Sequence, residues 1–182
     1  MPDEAAPHQR TWMAFGPQTS IWGDLVPEVQ QDLARLARTI ARYEPVTLLV
    51  RPAERALAAR LCGPTVELLD AELDDLWIRD TGPTFVRNAQ RQLGALNLNF
   101  NGWGNKQQHQ RDGTIAGQVT AAAAAIALET SLVGEGGGIE VDGEGSAILT
   151  ESCFLNANRN PGVTKADFEP GFLTSGSMEW PD

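Results

Sequence analysis

The stretch Leu76-Trp77-Ile78-Arg79-Asp80-Thr81-Gly82-Pro83 places an acidic residue between an apolar run and a Gly-Pro turn. This pattern predicts that Asp80 stands at the end of a strand, with its carboxylate near the indole of Trp77. Such a pair suits a planar guanidinium, because one carboxylate accepts two parallel hydrogen bonds while the indole stacks on the cation, and each charge-assisted bond contributes roughly 1.5 to 3 kcal/mol. The octapeptide alone also fits a second interpretation, in which Asp80 caps the turn, Arg79 pairs with it and Trp77 lies in the core.

Upstream of this stretch, an irregular segment at residues 1–23 is followed by alternating helices and strands. Apolar residues recur at helical spacing after Pro27, and Gly63 is a typical residue to close a helix. The predicted helices span residues 27–43 and 54–62, and the predicted strands span residues 46–50 and 65–69. This alternation indicates an α/β protein.

Downstream, the chain repeats the order of helix, strand, acidic turn and hairpin. The predicted elements are a hairpin at 84–87 and 93–100, a polar loop at 101–113, a helix at 114–128, and strands at 130–133, 139–141 and 147–155. Asp80 and Glu135 therefore occupy corresponding places before the two hairpins. The glycines at 136–138 let the backbone beside Glu135 approach a ligand closely, although a loop joining two strands explains them equally well.

Composition narrows the classes of partner. The chain has 182 residues with 14 Lys plus Arg, 24 Asp plus Glu and a formal net charge of -10, which disfavours nucleic acid and favours a cationic ligand. Cys62 and Cys153 lie in apolar stretches, as buried thiols of a reducing cytoplasm do, and no Cys or His pair has metal-ligand spacing. We find no signal peptide and no membrane-spanning run. We therefore expect a cytoplasmic protein without a metal or cofactor.

Several ordered stretches together resemble the agmatine deiminase family, relatives of the bacterial peptidylarginine deiminases. These stretches are Pro7-His8, Thr11-Trp12-Met13-Ala14, Asp74 to Val86, Asn99-Phe100-Asn101, Trp103-Gly104, Glu135 to Gly138, Thr150 to Cys153 and Asn158 to Pro161. The resemblance covers residues 1–169, half of a family enzyme. It implies a pentein fold, an α/β propeller of five β/α blades, of which this chain supplies about two to three.

The resemblance also implies an activity and the residues that serve it. Family enzymes hydrolyse agmatine to N-carbamoylputrescine and ammonia in putrescine biosynthesis. Carried over to this chain, Asp80 binds the guanidinium, Glu135 is a catalytic residue beside the reacting carbon, and Trp77 lines the pocket. The likeness of the N-terminal segment favours agmatine over peptidyl-arginine as the substrate.

The family's nucleophilic cysteine and His-x-Asp element lie beyond the end of this chain. Hydrolysis of a guanidine requires a thiolate to attack its carbon and a histidine to protonate the ammonia, so we expect the chain to be inactive alone. Cys153, predicted in an apolar strand, and Cys62, near a helix C-terminus, are poor substitutes because both settings disfavour a thiolate. His8 and His109 lie in predicted loops and outside any His-x-Asp pattern.

Two other functions remain open on the sequence. One is a non-catalytic module that binds guanidino or polyamine cations. The other is half of a split enzyme, completed by a complementary C-terminal half or by a homo-oligomer, because an open propeller leaves strand edges exposed. Residues 172–182 lack periodicity and family likeness, and we expect a tail at residues 170–182, consistent with a frameshift or a premature stop.

Overall fold

The computed structural model describes residues 1–168, which form two compact units. Residues 6–78 make the N-terminal unit, and residues 79–168 together with 1–5 make the second unit. Within this described part of the chain, every helix is too short or too polar to cross a bilayer. The predicted tail at 170–182 and its boundary at residue 169 lie outside the described residues.

A three-stranded parallel sheet organises the N-terminal unit. Its strands, in the order β1-β2-β3, are Thr11–Phe15, Val46–Val50 and Glu67–Asp70. Its helices are α1 (Thr19–Trp22), α2 (Val26–Ile40) and α3 (Arg55–Cys62). All five residues of β2 are buried, as expected for the central strand of a parallel sheet.

Local sequence explains why α2 and α3 form where they do. Pro27 lies in the first turn of α2 with Glu28, and Arg38 lies in its last turn, an arrangement that matches the helix dipole. Gly63 ends α3 with a φ of +69°, which a glycine adopts without steric cost. The predicted helices and strands of residues 27–69 are confirmed within a few residues at their ends. The prediction of an irregular N-terminus is wrong, because residues 11–15 pair with β2.

The second unit contains a mixed sheet and a separate hairpin. The mixed sheet has the order β4-β5-β6, and its strands are Thr84–Arg87, Leu93–Leu96 and Ile126–Leu128. The separate hairpin is β7 (Ile139–Val141) with β8 (Ala147–Leu149). The helices are α4 (Ile78–Thr81, which begins at the last residue of the N-terminal unit), α5 (Gly102–Asn105), α6 (Ile115–Ala122) and α7 (Glu151–Phe154). The predicted β4–β5 hairpin is confirmed as an antiparallel pair, although its second strand ends at Leu96 and not at residue 100.

Four predictions for this unit are wrong in extent or type. Helix α6 stops at Ala122, Ala124 has a φ of +50°, and the following residues form β6, parallel to β5. Pairing with the sheet therefore overrides the helix propensity of the alanine run, and it moves the strand predicted at 130–133 upstream. The strand predicted at 147–155 ends at Leu149 and is followed by α7, which contains Cys153. Asp80 lies in α4 and not at the end of a strand.

The order of elements along the chain repeats as predicted. Helix α3, strand β3, Asp80 and the β4–β5 hairpin follow one another, and so do helix α6, strand β6, Glu135 and the β7–β8 hairpin. Each carboxylate therefore precedes a hairpin in the sequence. Apolar side chains from the second of these hairpins and from α7 belong to one buried cluster, which includes Ile139 and Phe154.

Candidate functional site

One backbone N–H group and one side-chain N–H group of the second unit donate hydrogen bonds to the carboxylate of Asp80. Its Oδ1 accepts a hydrogen bond from the backbone N–H of Gly137 at 3.0 Å, and its Oδ2 accepts one from the indole Nε1 of Trp103, also at 3.0 Å. Among the described residues, no lysine or arginine is paired with this half-buried carboxylate. Each carboxylate oxygen has a second lone-pair position, so a further cationic donor can bind without displacing either N–H.

Arg79 does not pair with Asp80. Its guanidinium donates to Glu4 at 2.6 Å and lies 3.8 Å from Glu140. The interpretation of Asp80 as a turn cap neutralised by Arg79 is therefore wrong. Within residues 1–168, two N–H dipoles stabilise the negative charge of Asp80, and no cation is paired with it.

An unusual backbone turn carries Trp103 to Asp80. Trp103 and Gly104 have φ values of +58° and +82°, and the side chain of Asn101 accepts a hydrogen bond from the Gly104 N–H at 2.8 Å. The indole packs edge-on against Phe100, with ring centroids 4.9 Å apart. A left-handed conformation at a bulky residue costs of the order of 1 to 3 kcal/mol and persists where the surroundings fix it. Here the fixed turn aims the indole N–H at Asp80.

The glycine run is sterically required where it contacts α4. A Cβ on Gly137 would lie 2.7 Å from Asp80 Oδ1, and a Cβ on Gly136 would clash with the carbonyl oxygen of Arg79. Glycine is therefore needed for close approach, as the sequence suggested, and the group approached is Asp80 with its supporting backbone. Because Glu135 immediately precedes this run, the two acidic segments are in direct contact.

Glu135 is buried, with an exposed fraction of 4%, and both of its oxygens have partners. Arg159 Nε donates to Oε1 at 2.7 Å, and the Cys153 thiol donates to Oε2 at 2.6 Å. The guanidinium of Arg159 is buried as well. A buried carboxylate is tolerated only with such compensation, because removing a charge from water costs several kcal/mol.

The thiol of Cys153 is a hydrogen-bond donor at neutral pH. Burial, together with its hydrogen bond to Glu135, raises the pKa of Cys153 to about 12. Burial also raises the pKa of the Cys62 thiol. A thiol that stays protonated is a weak nucleophile, so the raised pKa values disfavour a reactive thiolate at both cysteines.

Asn160 ties the segment that bears Glu135 to the segment after α7. Its amide donates to the carbonyl of Val133 at 2.7 Å and to that of Phe154 at 2.9 Å, and its Oδ1 accepts from the Val133 N–H at 2.9 Å. Asn160 is itself buried. This arrangement fixes the backbone two residues before Glu135.

Trp77 belongs to the N-terminal unit. Its indole N–H donates to Asp75 Oδ2 at 3.1 Å, and its ring lies 6.2 Å from that of Trp22. With an exposed fraction of 40%, it is not the core residue of the second interpretation. Its place in a pocket with Asp80 stays a prediction.

The predicted residues thus fall into two sets. Asp80 and Glu135 lie in contacting segments of the second unit, whereas Trp77 is a surface residue of the other unit. Trp103 and Arg159 lie in stretches with family likeness, but their contacts with the two carboxylates were missed. Their partners lie 23 and 24 residues away in the sequence, a separation that no local spacing reveals.

The fold itself matches solved structures of known class. The agmatine deiminase of Enterococcus faecalis aligns with a TM-score of 0.88 at 28% sequence identity, covering 93% of this chain and 48% of that chain. The molecule is therefore a mixed α/β protein of the pentein type. More particularly, the chain belongs to the Porphyromonas-type peptidyl-arginine deiminase family, which matches residues 1–175.

Sequence relatives give the same assignment. A protein of Streptomyces coelicolor is 43% identical over 173 residues, which are 93% of this chain and 51% of the relative. The agmatine deiminase of Stutzerimonas stutzeri is 41% identical over 177 residues, which are 93% of this chain and 48% of that enzyme. The chain spans about half the length of the curated relatives it matches.

Proposed function

We propose that these residues form the guanidinium-binding part of an agmatine deiminase. Asp80 binds the guanidinium, Glu135 is the second carboxylate of the catalytic centre, and Trp77 lines the pocket. One observation carries the proposal: a half-buried carboxylate is held by two N–H groups and, within residues 1–168, is paired with no cation. A group of this kind is prepared to receive a positive charge.

The geometry favours a planar cation over a point charge. Because each Asp80 oxygen already accepts one N–H, the carboxylate is fixed in orientation and one acceptor position remains on each oxygen. A guanidinium offers two parallel donors at the matching separation, which an ammonium group does not. Agmatine combines a guanidinium with a second positive charge, and it is the substrate by which the Stutzerimonas stutzeri relative is named.

On this proposal, the two repeats of helix, strand, acidic residue and hairpin are blades of a five-bladed propeller. This chain supplies about two to three of the five blades. The complete enzyme releases ammonia from agmatine in the cytoplasm and forms N-carbamoylputrescine, a precursor of putrescine. The 182 residues alone bind the cation without hydrolysing it, because the pKa of Cys153 is about 12 and the pKa of Cys62 is also raised. Loss of a nucleophile lowers turnover by about a millionfold.

Isothermal titration of agmatine into the purified chain tests this proposal. The wild-type chain is expected to bind in a saturable manner, and Asp80→Asn, which keeps the shape but removes the charge, is expected to bind at least about 100-fold more weakly. Asp142→Asn is the matched control, because Asp142 is exposed and accepts hydrogen bonds from Glu144 and Ser146 within its own hairpin turn. A folded wild-type chain that does not bind agmatine contradicts the proposal.

Two further proposals differ in the fate of bound agmatine. In the first, the chain is a cation-binding module that binds agmatine as tightly as proposed above but has no catalytic partner. In the second, the chain is half of a split deiminase and becomes active when its complementary half, or a second copy of the chain, completes the ring. Ammonia release by the chain alone would exclude the first of these and the inactivity proposed above. The split-deiminase proposal is supported by Ile148 of β8, because this apolar side chain is 77% exposed on a two-stranded sheet that another chain could cover. Light scattering that finds only monomer counts against a homo-oligomer.

A further inference from the structure

The carboxylate of Glu135 is supported from one direction by two side chains that the proposed reaction does not use. Arg159 Nε and the Cys153 thiol each donate to a different oxygen of Glu135, at 2.7 and 2.6 Å. We propose that Arg159 is a positioning residue that keeps Glu135 ionised and fixed in orientation, with Cys153 as a neutral second donor. This inference rests on the proposed function.

Charge balance is the first step of the argument. The side chains of Glu135 and Arg159 are only 5% and 8% exposed, so neither charge is compensated by water. Removing one partner of such a pair leaves an unpaired buried charge, which a carboxyl group relieves by taking up a proton. The thiol adds no second negative charge, because it remains protonated. Arg159 is therefore the group that makes an anionic Glu135 stable in this position.

Fixed orientation is the second step. Separate donors on the two oxygens prevent the carboxylate from rotating, and each oxygen keeps a second acceptor position. Arg159 is itself held by a hydrogen bond from Nη1 to Asn158 Oδ1 at 3.0 Å. On the other side, a Cβ on Gly138 would lie only 3.0 Å from Cys153 Sγ, so the glycine run and α7 leave the thiol little freedom.

Among the described residues, the titratable and charged side chains that form a hydrogen bond or an ion pair with Glu135 are Arg159 and Cys153. Asp80 contacts the same glycine run through the Gly137 N–H. A change in the pH response of Glu135 after substitution of Arg159 is therefore assigned to loss of this cation.

The experiment measures agmatine affinity between pH 5.5 and 8 for the full chain and its variants, each expressed as a ratio to wild type. Arg159→Met keeps the approximate length but removes the charge, and we expect binding about tenfold weaker relative to wild type at the acidic end, recovering as pH rises. Arg159→Lys restores the charge and is expected to abolish most of this pH dependence. The double variant Arg159→Met/Glu135→Gln has no ionisable carboxyl at this position, so its ratio is expected to be constant with pH.

A pH-independent ratio for a folded Arg159→Met variant would overturn the proposal, because a merely structural contact changes affinity equally at every pH. If that variant does not fold, Cys153→Ala and Cys153→Ser replace it. The alanine variant lacks a donor to Oε2 and is expected to bind agmatine a few-fold more weakly, whereas the serine hydroxyl restores the donor and the affinity. Identical affinities for these two variants would also overturn the proposal.

Failure of the proposed function is recognised separately. If the folded wild-type chain does not bind agmatine, the pairing is measured by a double-mutant cycle in urea. Arg159→Met is then expected to lower the unfolding midpoint more than the double variant does, because only the single variant leaves a buried carboxylate without its cation. Additive effects of the two substitutions would show that Arg159 does not compensate Glu135.

Discussion

Gly137→Ala tests whether the glycine run supports Asp80. The added Cβ would lie 2.7 Å from Asp80 Oδ1, where ordinary contact begins at 3.4 Å, so the carboxylate or the run must move by about 0.7 Å. This movement breaks the 3.0 Å hydrogen bond from the Gly137 N–H to an ionised acceptor. Such a bond contributes roughly 1.5 to 3 kcal/mol when buried, and Gly137 is exposed, so we expect a net loss of about 1 to 2 kcal/mol.

Gly117→Ala is the matched control for this substitution. Gly117 is a solvent-exposed residue in the middle of α6, and an added Cβ meets no atom within 4 Å. Alanine there is expected to stabilise the chain by about 0.5 to 1 kcal/mol, because it has the higher helix propensity. The same chemical change is thus expected to have opposite effects at the two positions.

Thermal unfolding followed by circular dichroism measures both variants. At about 2 to 4 °C per kcal/mol for a chain of this size, Gly137→Ala is expected to lower Tm by about 2 to 8 °C and Gly117→Ala to raise it slightly. Agmatine affinity is expected to fall about five- to tenfold in Gly137→Ala and to stay unchanged in Gly117→Ala. Equal Tm values and equal agmatine affinities for the two variants would refute the steric argument.

Two other predictions concern the core and the buried thiol. Phe154 is 1% exposed, and Phe154→Ala is expected to lower the free energy of unfolding by about 3 to 5 kcal/mol. Ile148 is 77% exposed, and Ile148→Ala is expected to change the free energy of unfolding by less than about 0.5 kcal/mol. Urea denaturation measures both changes. The pKa of Cys153 is raised from 9.0 to about 12, so the folded chain retains a proton that the unfolded chain loses, and stability is expected to fall as pH rises through this interval. The urea midpoint of Cys153→Ala should decline less over the same pH range, and an equal decline would contradict the assignment.

Local patterns were sufficient for the parts of the fold that depend on local interactions. Strand β2 was predicted with its observed bounds, because a short, largely apolar run flanked by Pro45 and Pro52 favours a buried strand. Helix α2 was predicted from its apolar spacing and from Pro27. The same reasoning missed β1, whose residues become a strand by pairing with residues more than 30 positions away.

The candidate site was predicted in part for a related reason. Asp80 was recognised from its place between an apolar run and a Gly-Pro turn, and Glu135 from the family-like glycine run that follows it. Their partners cannot be recognised in this way. The contact of Trp103 with Asp80 requires a left-handed turn, and the contact of Arg159 with Glu135 requires the packing of a segment that follows α7. Such contacts are determined by tertiary packing, which residue spacing does not encode.

The central claim is that Asp80 receives a guanidinium, and comparison of agmatine with putrescine tests it most directly. Putrescine carries ammonium groups only, and an ammonium cannot make the two parallel hydrogen bonds of a guanidinium. Titration of both compounds into the wild-type chain and into Asp80→Asn is expected to give at least about tenfold tighter binding of agmatine to wild type, with this preference lost in the variant. Equal affinity of the wild-type chain for both compounds, or a preference that persists in Asp80→Asn, would contradict the claim.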